Sequence, residues 1–555
     1  MDSLMTGPVL AGLLLASFIY YNLKKFSFWS SRNIKGPTPW PFFGTNIYYI
    51  FQNKLDVDQK WRDKYGHTYG IYEGYEPTLR TTDNELIKHV FIKDFNNFTD
   101  RNSKLIFSDQ QRKWLLWSPG EYWANQRPLI SPMFTSSRMR SMFKSMSQCM
   151  DNFTTSIVEK KMGSEKGAKV YQKRDVGLMA LDVISRTFFG LNMDLYREKS
   201  PEFLKEAFKL SSFDVPWFVL WSLIPKPIAS YFQIDLFRQS RMEYFYKLSE
   251  NIIKERRSQM ASDSNNNDDD TSNKTKKNDF IQALLDARLS SEEHYEKIFS
   301  KEDDASKHFN DQIGHEELEK INELQTKKAF MKSFGEEEIK GQMTFLFIAG
   351  FETTAQSITF AIYELAHRPS DQQLLLDEIK RELDIGADGK IDNIDHADLM
   401  KLHQLDAFLS EVLRLYAPIV ENNRLVTRKG GVELPLDPPI WLPERTSISV
   451  NSFTLQRDKD YWPKASEFDM SRFLPENKGK IVSCSYMPFG LGPRNCAGMR
   501  FALMEIKLAL IKLITKYNVS PSPKTSHYPP KFVKNPVFLQ MPESEFQLVR
   551  RGTTS

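Results

Sequence analysis

Near its C-terminal end the chain reads MPFGLGPRNCAG, Met487 to Gly498. One thiol, Cys496, is fenced by Gly490, Gly492, Pro493 and Arg494 before it and Gly498 after it, and the apolar-periodic run RFALMEIKLALIKLITKY follows at once. Each residue type restricts what this loop can be. The glycines reach backbone conformations closed to other residues and let a flat body come close. Pro493 stiffens the loop, and Arg494 offers a planar, permanently charged fork for carboxylates. Cys496, read as lying at the start of the following helix, would meet free N–H groups and a dipole that lower a thiol's pKa. The stretch suits a thiolate held against a flat, anionic ligand. A haem with a cysteine axial ligand and two propionates answers that description.

The rest of the composition agrees with such a body. At 555 residues, with 40 Phe among 13% aromatics, the chain can enclose a large cofactor and a pocket. A net charge of +4 is too small to argue for nucleic acid. The three cysteines, Cys149, Cys484 and Cys496, exclude a disulfide framework and suit a reducing compartment. There is no C-x-x-C pair for a zinc knuckle, and Cys149 and Cys484 read as structural.

Ser3 to Leu23 carries no charge and is long enough to span a bilayer as a helix. It lacks a basic segment before the apolar run, as a cleaved signal would have, and Lys24, Lys25 and Arg32 follow it. That pattern predicts an uncleaved anchor over 1–25 with the remainder in the cytosol. Residues 26–50 hold Pro37, Pro39 and Pro41 and read as an extended, Pro-rich hinge, and 51–555 as one catalytic body. Within it, 55–260 is mostly helical in pattern, with β-like runs near YGIYEGYEPTLRTTD. The Phe- and Trp-rich run 201–240 reads either as a buried helix pair or as an apolar loop at a substrate entrance or membrane surface. The polar stretches 261–277 and 289–328 read as surface insertions that cannot bury enough apolar area to order themselves. From 334 to Pro369 the spacing predicts about nine helical turns through the interior, and from His396 to Pro418 a further helix.

The six positions Phe489, Gly490, Gly492, Arg494, Cys496 and Gly498 match the haem-binding pattern F-G-x-G-x-R-x-C-x-G without departure. At average composition such a match arises by chance on the order of 10⁻⁵ times in a chain of this length. On these residues the chain resembles the cytochrome P-450 family. The resemblance implies a mainly α fold with small β-sheets, a heme b with Cys496 as axial thiolate ligand, and electrons from NADPH through a flavoprotein reductase, with cytochrome b5 as a further donor. It extends to Glu411 and Arg414 in SEVLRL, the family's E-x-x-R, which pairs with a downstream arginine, here Arg472; Met470 stands where the family often has proline. AGFETT places Glu352 and Thr353 at the family's acid–alcohol pair, which delivers protons during dioxygen activation, on a helix segment that kinks over the haem beside Ala349. Trp123 and Arg127 match W-x-x-x-R, and Arg101 and Arg424 fall where relatives place further propionate contacts. The runs YGHTYGIYEGYEPTLRTTD, FTDR and AGFETT look most like the animal microsomal clan that holds steroid- and drug-oxidising enzymes and thromboxane synthase.

What the resemblance implies is a monooxygenase of the endoplasmic reticulum membrane acting on a lipophilic steroid, fatty acid or xenobiotic. Its pocket walls would come from 102–120, 205–235, 342–350 and 418–424. Arg138, Arg140, Lys144, Lys480 and Arg500 read either as a basic face for the reductase or as scattered solvated charges. Two alternatives stand beside this reading. One is a reductase-independent peroxide isomerase on the same scaffold, which would often lack the acid–alcohol pair. The other is a non-enzymatic haem- or lipid-binding protein.

Overall fold

The computed structural model describes residues 2–102, 108–162, 167–193, 195–197, 201–211, 231–232, 239–265, 279–286, 334–383, 394–534 and 538–552. Helix α1, Asp2–Phe26, covers the uncharged N-terminal stretch and carries Lys24 and Lys25 in its last turn. The Pro-rich segment after it is tied to a β-hairpin: Gly70 N–H donates to Lys35 O and Thr45 N–H to Tyr72 O. Helix α2, Lys54–Tyr65, opens where Asn53 accepts from Leu55 N–H, a side-chain cap. Helices α3 (Gly120–Ile130), α4 (Ser136–Phe153), α5 (Gly177–Phe189) and α6 (Gln239–Asn265) follow. Helix α6 runs on to Asn265, so the first residues of the polar 261–277 stretch continue a helix begun among apolar neighbours. The remainder of that stretch, the whole of 289–328 and most of 212–238 lie outside the described residues.

Helix α7, Glu336–His367, spans 32 residues, as the spacing predicts. It is apolar and long enough to cross a membrane, yet 72% of its most apolar window is buried in the body. It is a core helix, packed on α5 and α6, with the Phe189 and Phe347 rings stacked at 3.8 Å. Pro369 does not simply stop it: the proline occupies the first turn of α8, Pro369–Glu382, where its missing N–H costs nothing. The helix expected from His396 is divided. A 3₁₀ turn, Asp398–Lys401, precedes α9, His403–Tyr416. The break falls there because Glu378 of α8 caps the new start, accepting Gln404 N–H at 2.7 Å and Leu405 N–H at 2.9 Å. Helix α10, Met499–Lys516, begins after the cysteine loop.

Three small sheets flank the helices. Strands β1 (Thr68–Glu73) and β2 (Glu76–Thr81) form the hairpin. Strand β3 is Gly167–Tyr171 and β4 is Glu421–Leu425. Strands β5 (Val432–Leu434) and β6 (Ile440–Leu442) pair with each other, and β7 (Ser447–Asn451) lies between β2 and β4. Strands β8 (Tyr517–Pro521) and β9 (Glu545–Arg550) complete a sheet with β3. The fold is mainly α with small sheets.

Candidate active site

The cysteine loop is closed by its own backbone. Cys496 N–H donates to Phe489 O at 2.9 Å, Gly490 N–H to Met487 O at 3.0 Å and Asn495 N–H to Gly492 O at 2.9 Å. Gly490 and Gly492 both have left-handed φ, 77° and 70°. The room left at Gly492 is filled by protein: a Cβ there would lie 1.8 Å from the Phe91 carbonyl oxygen. This corrects the expectation that a flat ligand sets the need for that glycine; a backbone crossing sets it. The helix boundary also moves. Cys496 lies three residues before Met499, the first residue of α10, and Gly498 is the cap. Burial pushes the Cys496 thiol up, against the Gly498 N–H, Arg127 and Arg101, which push it down. The helix end therefore does not dominate the thiol, because the one N–H that reaches it belongs to Gly498. The side chain retains exposed surface of its own.

Four arginines converge on this loop from four elements. Arg494 lies in it, over the Trp123 ring of α3 at 4.7 Å, and donates to Ser118 O at 2.6 Å. Arg127, one turn beyond Trp123, donates to Asn495 O at 3.0 Å and Asn495 Oδ1 at 2.9 Å. Arg101 donates to Arg494 O at 2.7 Å. Arg424, on β4, donates to Asn423 O at 2.9 Å and Leu491 O at 3.3 Å, with its guanidinium over Phe91. Burial lowers all four pKa values, Arg101 and Arg127 to about 10 and the other two well below the usual value. Neighbouring arginines add to the lowering at Arg101, Arg424 and Arg494; Asp100 opposes it at Arg494. Arg424 Nε and Arg494 Nε and Nη1 are buried without a hydrogen-bond partner among the described residues. Cationic donors left this way are costly unless an anion completes them. The residues present therefore fit a buried ligand with carboxylates.

On α7, Thr353 Oγ1 donates to the Ala349 carbonyl at 2.6 Å, so the hydroxyl that the sequence left free satisfies the previous turn. The helix runs uninterrupted from Glu336 to His367 through AGFETT, where the resemblance implied a kink. Glu352 is buried and accepts from Gln356 Nε2 at 2.9 Å and Gln540 Nε2 at 3.3 Å, while Gln356 Oε1 accepts from Gln172 at 3.1 Å.

Glu411 and Arg414 form a fully buried bidentate pair, at 2.6 Å and 2.7 Å. Arg414 also donates to Gln456 O, Ala465 O and Glu467 O. Arg472 Nε lies 3.5 Å from Glu411 Oε1, and Asp469 N–H donates to the same oxygen at 2.8 Å. Sequence reasoning missed the residue that carries this lock to the cysteine loop. Gln456 Oε1 accepts Met487 N–H at 2.8 Å, while its amide donates to Leu413 O and Arg414 O. It missed Asn495, Ser118 and Asp100 as well. Asn495 had a signal in its place inside the loop pattern, and Asp100, which accepts Gly120 N–H at 2.6 Å, in its place inside FTDR; Ser118 and Gln456 act through contacts that no motif marks.

A family model for Cytochrome P450 matches residues 34–314 and 291–549. Cytochrome P450 3A11 of Mus musculus is 31% identical over 524 residues, 93% of this chain and 91% of that protein. Cytochrome P450 3A18 of Rattus norvegicus is 30% identical over 537 residues, 96% and 95%. The Lithocholate 6-beta-hydroxylase of Mesocricetus auratus is 30% identical over 529 residues, 95% and 93%. A mainly helical body with a lone thiol set in a buried guanidinium cluster is thus of the haem-enzyme class. The chain belongs to the cytochrome P450 family, in its animal microsomal clan, and is a monooxygenase oxidoreductase.

Proposed function

We propose that the protein oxygenates a lipophilic small molecule, with Cys496 as axial ligand of a heme b and Arg101, Arg127, Arg424 and Arg494 receiving its carboxylates. The observation that carries this reading is the guanidinium cluster beside the thiol, with three buried donor atoms unpartnered among the described residues. A bound haem supplies the chemistry that puts one atom of dioxygen into the substrate and reduces the other to water. The chain's residues supply position and protons. Trp123 holds the Arg494 plane by stacking. Phe489, Gly490 and Gly498 shape the loop that presents Cys496. Thr353 Oγ1 holds its proton on the Ala349 carbonyl, one turn back, and is the hydroxyl that would deliver a proton in the site. Glu352, held in place by the Gln356 and Gln540 amides, is the acid that would resupply that proton. Glu411, Arg414 and Arg472 keep the cysteine-side core in register.

Electrons come from NADPH through a flavoprotein reductase, docked on the face carrying Arg138, Arg140, Lys144, Lys480 and Arg500, with cytochrome b5 as a second donor. The 1–25 helix anchors the protein in the endoplasmic reticulum membrane, and the 51–555 body faces the cytosol. Among steroids, fatty acids and xenobiotics, the hamster relative's name favours a steroid skeleton. Retention of Glu352 and Thr353 stands against a peroxide isomerase. The test is reconstitution with reductase and NADPH across a steroid and fatty-acid panel. NADPH-dependent product with dioxygen consumption supports the reading; rearrangement of a hydroperoxide without reductase, and no NADPH-dependent product, contradicts it.

A further inference from the structure

We propose that α1 is fastened to the β1–β2 hairpin by an aromatic clamp, so that the catalytic body sits on the bilayer at one fixed tilt instead of swinging on a Pro-rich hinge. The inference rests on the anchor reading of residues 1–25. Its first support is a stripe on α1. Phe18, Asn22 and Phe26, spaced four apart on one face, meet the body, and Tyr21 beside them meets Tyr75 edge-on at 5.4 Å. Phe18 stacks on Phe42 at 5.3 Å; Phe26 stacks on Tyr75 at 5.3 Å and meets Tyr72 edge-on at 5.1 Å. Asn22, a buried polar residue in an apolar helix, accepts from Tyr75 Oη at 3.1 Å, and Tyr72 Oη donates to Phe26 O at 2.8 Å.

The segment after the helix is pinned too. Trp29 is 3% exposed, its Nε1–H donates to Ile71 O at 2.9 Å, and its backbone N–H donates to Tyr72 Oη at 3.1 Å. The indole lies where any side chain on Gly70 would stand, since a Cβ there would come 2.3 Å from Trp29 Cγ. Arg32 Nε donates to Trp441 O at 3.0 Å. Gly44 bridges Trp40 and Glu73, which closes the proline-rich segment against the hairpin. Phe42, between them, holds a left-handed φ of 64°, a conformation costly for a phenylalanine and kept where its ring meets Phe18.

The other faces of α1 carry exposed leucines and tyrosines, including Leu13, Leu14, Tyr20 and Leu23. The stretch Ser3 to Leu23 is uncharged, and apolar side chains on the free faces of the helix suit lipid. Trp40 and Phe42 are 56% and 63% exposed beside the clamp, Phe42 against Phe18 and Trp40 paired with Gly44, a pair of aromatics where the helix meets the body. Aromatic rings are favoured at the interface of a bilayer. Clamp and aromatic pair together give the hairpin side of the body a fixed seat on the membrane.

The experiment uses the full-length holoprotein in lipid nanodiscs, with spin labels at Leu14→Cys on α1 and Lys401→Cys on the body. A free linker over residues 27–44 would spread the distance by about 20 Å. The clamp gives one narrow distribution instead, and Tyr75→Ala with Phe26→Ala broadens it severalfold. Phe42→Ala, at an exposed ring, broadens it without disturbing the buried contacts. A broad distribution in the intact protein, or one unchanged in both variants, overturns the clamp. Release of the protein from membranes by alkaline carbonate refutes the anchor reading instead, whatever the distances are.

Discussion

Arg414→Lys tests how the cysteine-side core is held. The substitution keeps the charge beside Glu411, so much of the Coulomb attraction survives. What it removes is the planar fork. Arg414 Nη1 serves Gln456 O at 2.7 Å and Ala465 O at 2.8 Å, while Nη2 reaches both Glu411 and Glu467 O. A lysine presents three donors from one point and leaves at least two of these buried acceptors unpaired. At ~1–3 kcal/mol for each, the loss is about 2–6 kcal/mol, a large share of the ~5–15 kcal/mol that holds a folded domain. Urea unfolding followed by tryptophan fluorescence reads it, since Trp462 lies 5.2 Å from the Arg414 guanidinium. A loss below about 1 kcal/mol with unchanged denaturant slope would refute the reasoning. Arg414→Met extends the test to pH. Burial already raises the Glu411 carboxyl, so its contribution is complete below the unfolded carboxyl pKa and is lost as pH rises through the folded value. Removing Arg414 raises that folded value further. The Arg414→Met deficit relative to the parent is therefore smaller near about pH 5 than near about pH 8; the reverse order contradicts the account.

Arg494→Met removes one cation from a cluster that lowers its own members' pKa values, so the haem-free protein gains about 1–3 kcal/mol in thermal unfolding while the haem retained per chain falls. Equal or lower stability of the haem-free variant contradicts the unpaired-charge argument. Gly492→Ala sets a Cβ against the Phe91 carbonyl at a φ of 70°, and its melting temperature drops by at least that of a ~3 kcal/mol lesion, with or without haem. A loss seen only in the haem-loaded state would return the glycine's role to the ligand.

Patterns with a local cause were legible in the chain. The apolar run at 336–367, the β-like run at 68–81 and the fenced Cys496 each carry their own signal, and each stands in the structure as helix, hairpin and closed loop. Contacts made by backbone carbonyls were not legible. Ser118 O holds Arg494, Leu491 O holds Arg424, and Gln456 ties the Glu411–Arg414 pair to Met487, yet any side chain could precede those carbonyls. Helix limits shifted for the same reason: Glu378, 25 residues upstream of His403, decides where α9 starts. The glycine at 492 was noticed correctly, but its cause was a distant strand of chain at Phe91. Glu352 was placed by resemblance beside Thr353; its glutamine partners lie at 356 and 540, the second far away in sequence.

The central claim is that Cys496, and neither other cysteine, ligates the haem iron. The direct measurement is the carbon monoxide difference spectrum of the reduced protein for Cys496→Ser and Cys484→Ser, each with its haem content. The thiolate-type Soret band vanishes in the first and persists in the second, whose side chain is buried in an apolar cluster. Persistence of that band in Cys496→Ser would contradict the claim.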